Sequence, residues 1–140
     1  MKDYAYKLHG NFPYILDDML NLKKYFKDNS VEAVFAAYSL FHLPDTDLKK
    51  VLSDIYAILK ENGIFLFSYR VDNKEEYSDE PYLGEQGHNV LYMNYQTNEK
   101  IQELLSPYKY VEIYEIEKIE TLEGTIDSNN NITMFKILKK

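Results

Sequence analysis

Apolar and polar positions change their period along the chain in an order that reads as alternating strands and helices. Phe12 to Leu16 is a short apolar stretch running into Asp17-Asp18, which predicts a strand with its carboxyl end at the acid pair. After the polar turn Lys27-Asp-Asn-Ser30, the run Val31 to Ala37 is almost wholly apolar, the pattern of a central strand covered on both faces of a parallel sheet. From Asp47 onward, Leu48, Val51, Leu52, Ile55, Ile58 and Leu59 recur at three-and-four spacing and predict a helix packed on that sheet. Pro44-Asp45-Thr46 offers its start and Gly63 a left-handed stop. Ile64 to Val71 is a second apolar strand, and strand, helix, strand in this order predicts a parallel crossover.

The second half is more polar. Asp72 to Pro81 is charged and aperiodic and reads as a loop. Thr97 is placed to cap a short helix carrying Ile101, Leu104 and Leu105, ending near Ser106-Pro107. Val111 to Ile119 and Ile132 to Leu138 read as strands on either side of the turn Asp127-Ser-Asn-Asn-Asn131. They predict an antiparallel hairpin at one edge of a mixed sheet. The fold class is α/β.

Composition narrows this picture. A chain of 140 residues with 45% hydrophobic content can bury one core, so residues 1–140 are expected to form a single domain. The chain has no cysteine and therefore no disulfide, zinc-thiolate or thiol nucleophile. A net charge of −7 weighs against a broad nucleic-acid surface, and no apolar run reaches the roughly 20 residues of a membrane span. The expected location is cytoplasmic. Three histidines at positions 9, 42 and 88 lack the local spacing of a metal site.

Tyr14-Ile-Leu-Asp-Asp-Met-Leu-Asn-Leu22, Val31 to Pro44 with its Leu40-Phe-His-Leu-Pro44 turn, and Ala57-Ile-Leu-Lys-Glu-Asn-Gly-Ile-Phe-Leu-Phe-Ser68 follow one another in a recognisable order. In pattern and spacing the chain resembles the class I S-adenosylmethionine-dependent methyltransferases of the type 11-like group, from about Asn11 to Lys139. The resemblance implies a Rossmann-like sheet and S-adenosylmethionine as cofactor. It covers the carboxyl-terminal part of the family pattern only. The family's glycine-rich loop has the form hD-x-G-x-G, whereas Gly10, Gly63, Gly84, Gly87 and Gly124 include no G-x-G. The expected domain is thus a truncated, partial methyltransferase that begins near the family's second helix. The strand at Val31 to Ala37 would then lie at an open sheet edge, and a complementary methyltransferase half or a second copy is expected to cover it.

Open α/β sheets bind ligands at the carboxyl ends of their strands, which gathers Asp18, Tyr38 to His42 and Ser68 to Arg70 at one rim. The resemblance makes Asp18 the acceptor of the adenine amino group, with Met19 beside the ring and Tyr38, Ser39 and Leu40 along the methionine part of the cofactor. Asp18 is equally well read as a solvated turn acid. His42 is the candidate general base, weighed against a structural histidine. Tyr69, Arg70, His88 and Tyr92 are weaker candidates for the acceptor pocket. Two functions remain open. One is a methyltransferase, acting on a small-molecule acceptor, whose isolated chain is inactive until its cofactor site is completed. The other is a non-catalytic, oligomeric or partner-binding remnant of such an enzyme.

Overall fold

The computed structural model describes residues 6–8, 10, 13–79, 90–120 and 131–140. After a single 3-10 turn at Met19–Asn21, the elements are α1 (Leu22–Tyr25), β1 (Val31–Ala36), a 3-10 turn at Leu40–His42, α2 (Asp45–Ile58) and β2 (Leu59–Arg70). They continue as β3 (Glu75–Asp79), β4 (Val90–Asn94), α3 (Asn98–Leu105), β5 (Val111–Glu120) and β6 (Asn131–Lys139). The main sheet has the order β1-β2-β6-β5, with β1 parallel to β2 and the other pairs antiparallel. This is the expected mixed α/β sheet with a carboxyl-terminal antiparallel pair. β3 and β4 form a separate two-stranded sheet.

The three-and-four spacing of α2 places Leu48, Val51, Leu52, Ile55 and Ile58 on one buried stripe. That stripe meets Phe65, Phe67 and Tyr69 of β2 and Leu138 of β6, with Ile101 and Leu104 of α3 closing the core. Every second residue of β2 faces these helices, so burying Phe65, Phe67 and Tyr69 fixes the strand's register. The Thr97 hydroxyl accepts a hydrogen bond from the Lys100 amide and starts α3 as its sequence predicts.

Four expectations are corrected. Phe12 to Leu16 is not a strand over its described residues 13–16. Ile15 and Leu16 are 50% and 83% exposed, and among the described residues no strand pairs with them. Gly63 does not stop the helix. α2 ends at Ile58, Asn62 takes the left-handed backbone with φ 63°, and the β1–β2 register slips where β2 advances from Leu59 to Ile64 against Val31 to Ala33. Glycine is needed at 63 because a Cβ there would meet the Lys60 carbonyl oxygen at 2.8 Å and that of Glu32 at 3.2 Å. The segment read as a loop at Asp72 to Pro81 contains β3, whose charged sequence is ordered by backbone pairing with β4, from Glu75–Asn94 to Asp79–Val90. Finally, β1 is covered on one face only. Val34 and Ala36 pack on the core, while Phe35 is 73% exposed.

Candidate functional site

The carboxyl ends of β1 and β2 lie side by side, since Ala36 is paired with Phe67. The chain leaves β1 through Tyr38, whose φ of 53° costs a non-glycine residue about 1–2 kcal/mol. This strained turn is held by a hydrogen bond from the Tyr38 amide to Ser68 Oγ at 2.7 Å, which ties the two strand ends together. The Tyr38 ring packs edge-on against Phe135 of β6 at 5.5 Å. Ser39 precedes the 3-10 turn, and Leu40 is buried in the core at 3% exposure, its carbonyl accepting from the Leu43 amide at 3.1 Å.

Asp17 and Asp18 precede the 3-10 turn that leads into α1. Asp18 Oδ1 accepts from the Leu20 amide at 2.8 Å and caps the 3-10 turn that carries Met19. Asp17 is engaged more heavily: it accepts from the Tyr25 hydroxyl, from Asn21 Nδ2 at 2.8 Å, from Lys24 Nζ at 2.9 Å and from the Asp18 amide. Those donors, the Tyr25 hydroxyl foremost, hold the Asp17 carboxyl well below the usual carboxylate range. Asp17 therefore organises the turn and Asp18 is presented on its exposed surface.

His42 ends the 3-10 turn, and its Nδ1–H donates to the carbonyl of Tyr92 at 2.9 Å. This bond fixes the ring and pins β4 to the rim, leaving the lone pair of a neutral imidazole on Nε2. Beneath it lies a polar cluster that single-sequence reading did not assemble. Asn94 Nδ2 donates to the Leu43 carbonyl and to Asp45 Oδ1, both at 2.9 Å, and Gln96 Nε2 donates to Asp45 Oδ1 at 3.1 Å. Lys100 Nζ lies 2.6 Å from Asp45 Oδ2. Asn94 and Gln96 are each 1% exposed, so the cluster is an internal strut joining β4, α2 and α3. Burial opposes ionisation of Asp45, but donors from Lys100, Asn94 and Gln96 outweigh it and lower its pKa. The sequence signal was Asn94-Tyr-Gln96, two amides at strand spacing on one face.

Of the acceptor-side residues, Tyr69 is 2% exposed and donates its hydroxyl to Asn98 Oδ1 at 2.9 Å, with burial pushing its pKa up to about 12. The Arg70 carbonyl accepts from the Gln96 amide at 2.9 Å. The Tyr92 ring lies 5.4 Å from that of Tyr77, tilted by 54°, and Tyr77 is 75% exposed on the β3–β4 sheet. His88 lies outside the described residues. Tyr38, Ser39 and His42 follow the carboxyl end of β1, Asp18 and Met19 belong to the turn before α1, and Leu40 and Tyr69 have side chains committed to the core. Among the described residues no helix is long and apolar enough to cross a membrane.

The parallel crossover and the antiparallel carboxyl-terminal strands make this a Rossmann-like mixed sheet. Residues 1–67 match the family model described as a methyltransferase domain. The structure resembles an S-adenosylmethionine-dependent methyltransferase from Methanosarcina mazei, with a TM-score of 0.71 and 14% identity over 94% of this chain and 68% of that one. A second such enzyme, from Clostridium acetobutylicum, gives 0.67 and 14% over 98% and 68%. The 1,6-didemethyltoxoflavin-N1-methyltransferase of Burkholderia thailandensis, solved with S-adenosylhomocysteine, gives 0.65 and 11% over 99% of this chain but only 55% of its own length. No curated protein matches the sequence. The chain therefore has the fold of S-adenosylmethionine-dependent methyltransferases, and the family resemblance read from its sequence is borne out over its first 67 residues.

Proposed function

We propose that these residues form one side of an S-adenosylmethionine site in an enzyme that methylates a small-molecule acceptor. The observation that carries this reading is the turn after β1: a left-handed Tyr38 locked to Ser68 at the strand ends, with the Asp18 cap of Met19–Asn21 beside α1. Asp18 would receive the adenine amino group, Met19 would flank the ring, and the backbone of Tyr38 to Leu40 would follow the methionine portion. When bound, the cofactor supplies an electrophilic methyl group, and the protein's part is alignment of donor and acceptor. His42 Nε2 is the candidate acceptor of a proton, and the Tyr77–Tyr92 pair offers an aromatic wall to a planar acceptor.

The fit is one-sided. The five glycines of the sequence provide no G-x-G loop, and on this reading another chain or copy supplies the remaining side of the site along β1, which among the described residues pairs on one side only. Titration calorimetry with S-adenosylhomocysteine, with mass by light scattering in the same buffer, tests this. The reading predicts no micromolar binding by the monomer. It also predicts micromolar binding in the completed assembly that falls at least about tenfold in Asp18→Ala, the loss of one charge-assisted hydrogen bond. Unchanged affinity in Asp18→Ala would remove the adenine role. A second reading, a partner-binding module without catalysis, is favoured by the Leu40 side chain lying in the core. A completed assembly that binds no cofactor would select it.

A further inference from the structure

Strand pairing sorts the side chains of the small β3–β4 sheet onto two faces, and each face sets tyrosine beside glutamate. On one face Glu76 accepts from the Tyr95 hydroxyl, and the Lys74 ammonium lies 3.1 Å from the Glu76 carboxylate and 4.6 Å from the centre of the Tyr95 ring. The chain thus fills this tyrosine–glutamate pair with its own cation, through an ion pair and a cation–π contact together. On the other face Tyr77 stands opposite Tyr92, with Glu75 two residues before Tyr77 and Val90 two residues before Tyr92. Among the described residues no lysine or arginine pairs with Glu75 or lies over either ring.

This second face is both acidic and aromatic. Burial, the Glu75 carboxylate at its hydroxyl and the carboxylate of Asp45 push the pKa of Tyr92 up to about 12, so the ring lies in a negative field. The two rings, 5.4 Å apart and tilted by 54°, form an angle, and Tyr77 and Val90 keep it in contact with water at 75% and 51% exposure. A planar group can lie on one of the rings, whereas a tetrahedral ammonium in the angle touches both π faces and has a carboxylate beside it. A hard metal ion takes several oxygen ligands, and among the described residues no three acidic or histidine side chains gather to hold one.

We infer that the methyl acceptor carries an aliphatic ammonium group, seated in the angle between Tyr77 and Tyr92 with Glu75 as its counter-charge. The inference rests on the acceptor reading above and narrows it to one class of substrate. Tyr92 makes the connection: its ring is one wall of the angle and its carbonyl holds His42 Nδ1 at 2.9 Å, so the anchor and the candidate proton acceptor share a residue. An ammonium nitrogen has no lone pair with which to attack a methyl group. It therefore anchors the acceptor, and the atom that takes the methyl group is another one in the same molecule.

The test uses the 140-residue chain without cofactor and two probes of equal shape, choline and the neutral alcohol in which a carbon atom replaces its nitrogen. Amide and tyrosine ring resonances are followed by NMR at constant ionic strength. The expected result is saturable choline binding, on the order of millimolar, that shifts Tyr77 and Tyr92, with the neutral probe weaker by about fivefold or more. Glu75→Gln and Tyr77→Leu are each expected to weaken choline binding about threefold or more, by removing the counter-charge and one π face. Glu61→Gln, exposed on β2, should leave it unchanged. Thermal melts establish that each variant is folded, and Glu75→Gln, isosteric and exposed, carries the test if Tyr77→Leu is not. Equal binding of the two probes, binding of neither, or indifference of choline to the folded variants would overturn the inference. The calorimetric result stands apart: without cofactor affinity in the completed assembly the acceptor reading falls even where choline binds, and without choline binding only the ammonium anchor falls.

Discussion

The two faces of the main sheet are built from alternate residues of the same strands and have opposite fates. Phe65, Phe67 and Tyr69 are 0–2% exposed beneath α2 and α3, while Ile64 next to them is 42% exposed and Phe35 across from Leu66 is 73% exposed. Local sequence does not separate them, for Ile64-Phe-Leu-Phe67 is apolar at every position. A strand hydrophobic on both faces is the signature of a sheet sandwiched between helices, and here one layer of helix is present among the described residues.

The sharpest way to break this comparison is to truncate one aromatic on each face. Phe67→Ala should cost about 3–5 kcal/mol in urea denaturation, the usual penalty for emptying a packed aromatic site. Phe35→Ala should cost under 1 kcal/mol, on the order of an exposed strand substitution. Similar losses at the two positions would mean that Phe35 is covered.

A smaller effect is expected at the strut that holds the rim. Asp45→Ala removes the acceptor shared by the buried amides of Asn94 and Gln96 and should destabilise by about 1–3 kcal/mol. Gly63→Ala should lose about 1–3 kcal/mol, because its Cβ meets backbone carbonyl oxygens that cannot step aside. A melting temperature unchanged in either variant would remove the corresponding contact from the account.

The smallest effect is on pH dependence. The folded pKa of Asp45 lies below its ordinary value of 3.8, so its contribution to stability is complete above that value and is lost as pH falls through the lowered folded pKa. Acid titration of the melting temperature should show a shallower decline below about pH 4 in Asp45→Asn than in the parent chain. Identical acid slopes would show that Asp45 titrates alike in the folded and unfolded states.

Much of the fold was legible because its helices are amphipathic and its central strands are apolar runs. The β1–α2–β2 crossover follows from Val31 to Val71, and the Thr97 cap is as good a signal as the structure makes of it. β3 was hidden because its residues Glu75-Glu-Tyr-Ser-Asp79 carry no burial pattern, and only pairing with β4 orders them. Gly63 was misread because a glycine after a helix signals a left-handed turn, whereas Asn62 takes that conformation and Gly63 serves close backbone approach. Asp18 and Tyr38 were singled out as candidates through family pattern. The bond from the Tyr38 amide to Ser68 and the Asn94–Gln96–Asp45 cluster were not, since their partners lie far apart in sequence and only the folded chain brings them together.

Hydroxyl-radical footprinting of the isolated chain, read residue by residue by mass spectrometry, tests the open face most directly. The account predicts rapid oxidation of Phe35 and Tyr114 and strong protection of Phe67 and Tyr69 in the same sample. Protection of Phe35 and Tyr114 as strong as that of Phe67 would contradict it, because the chain would then cover its own sheet on both sides.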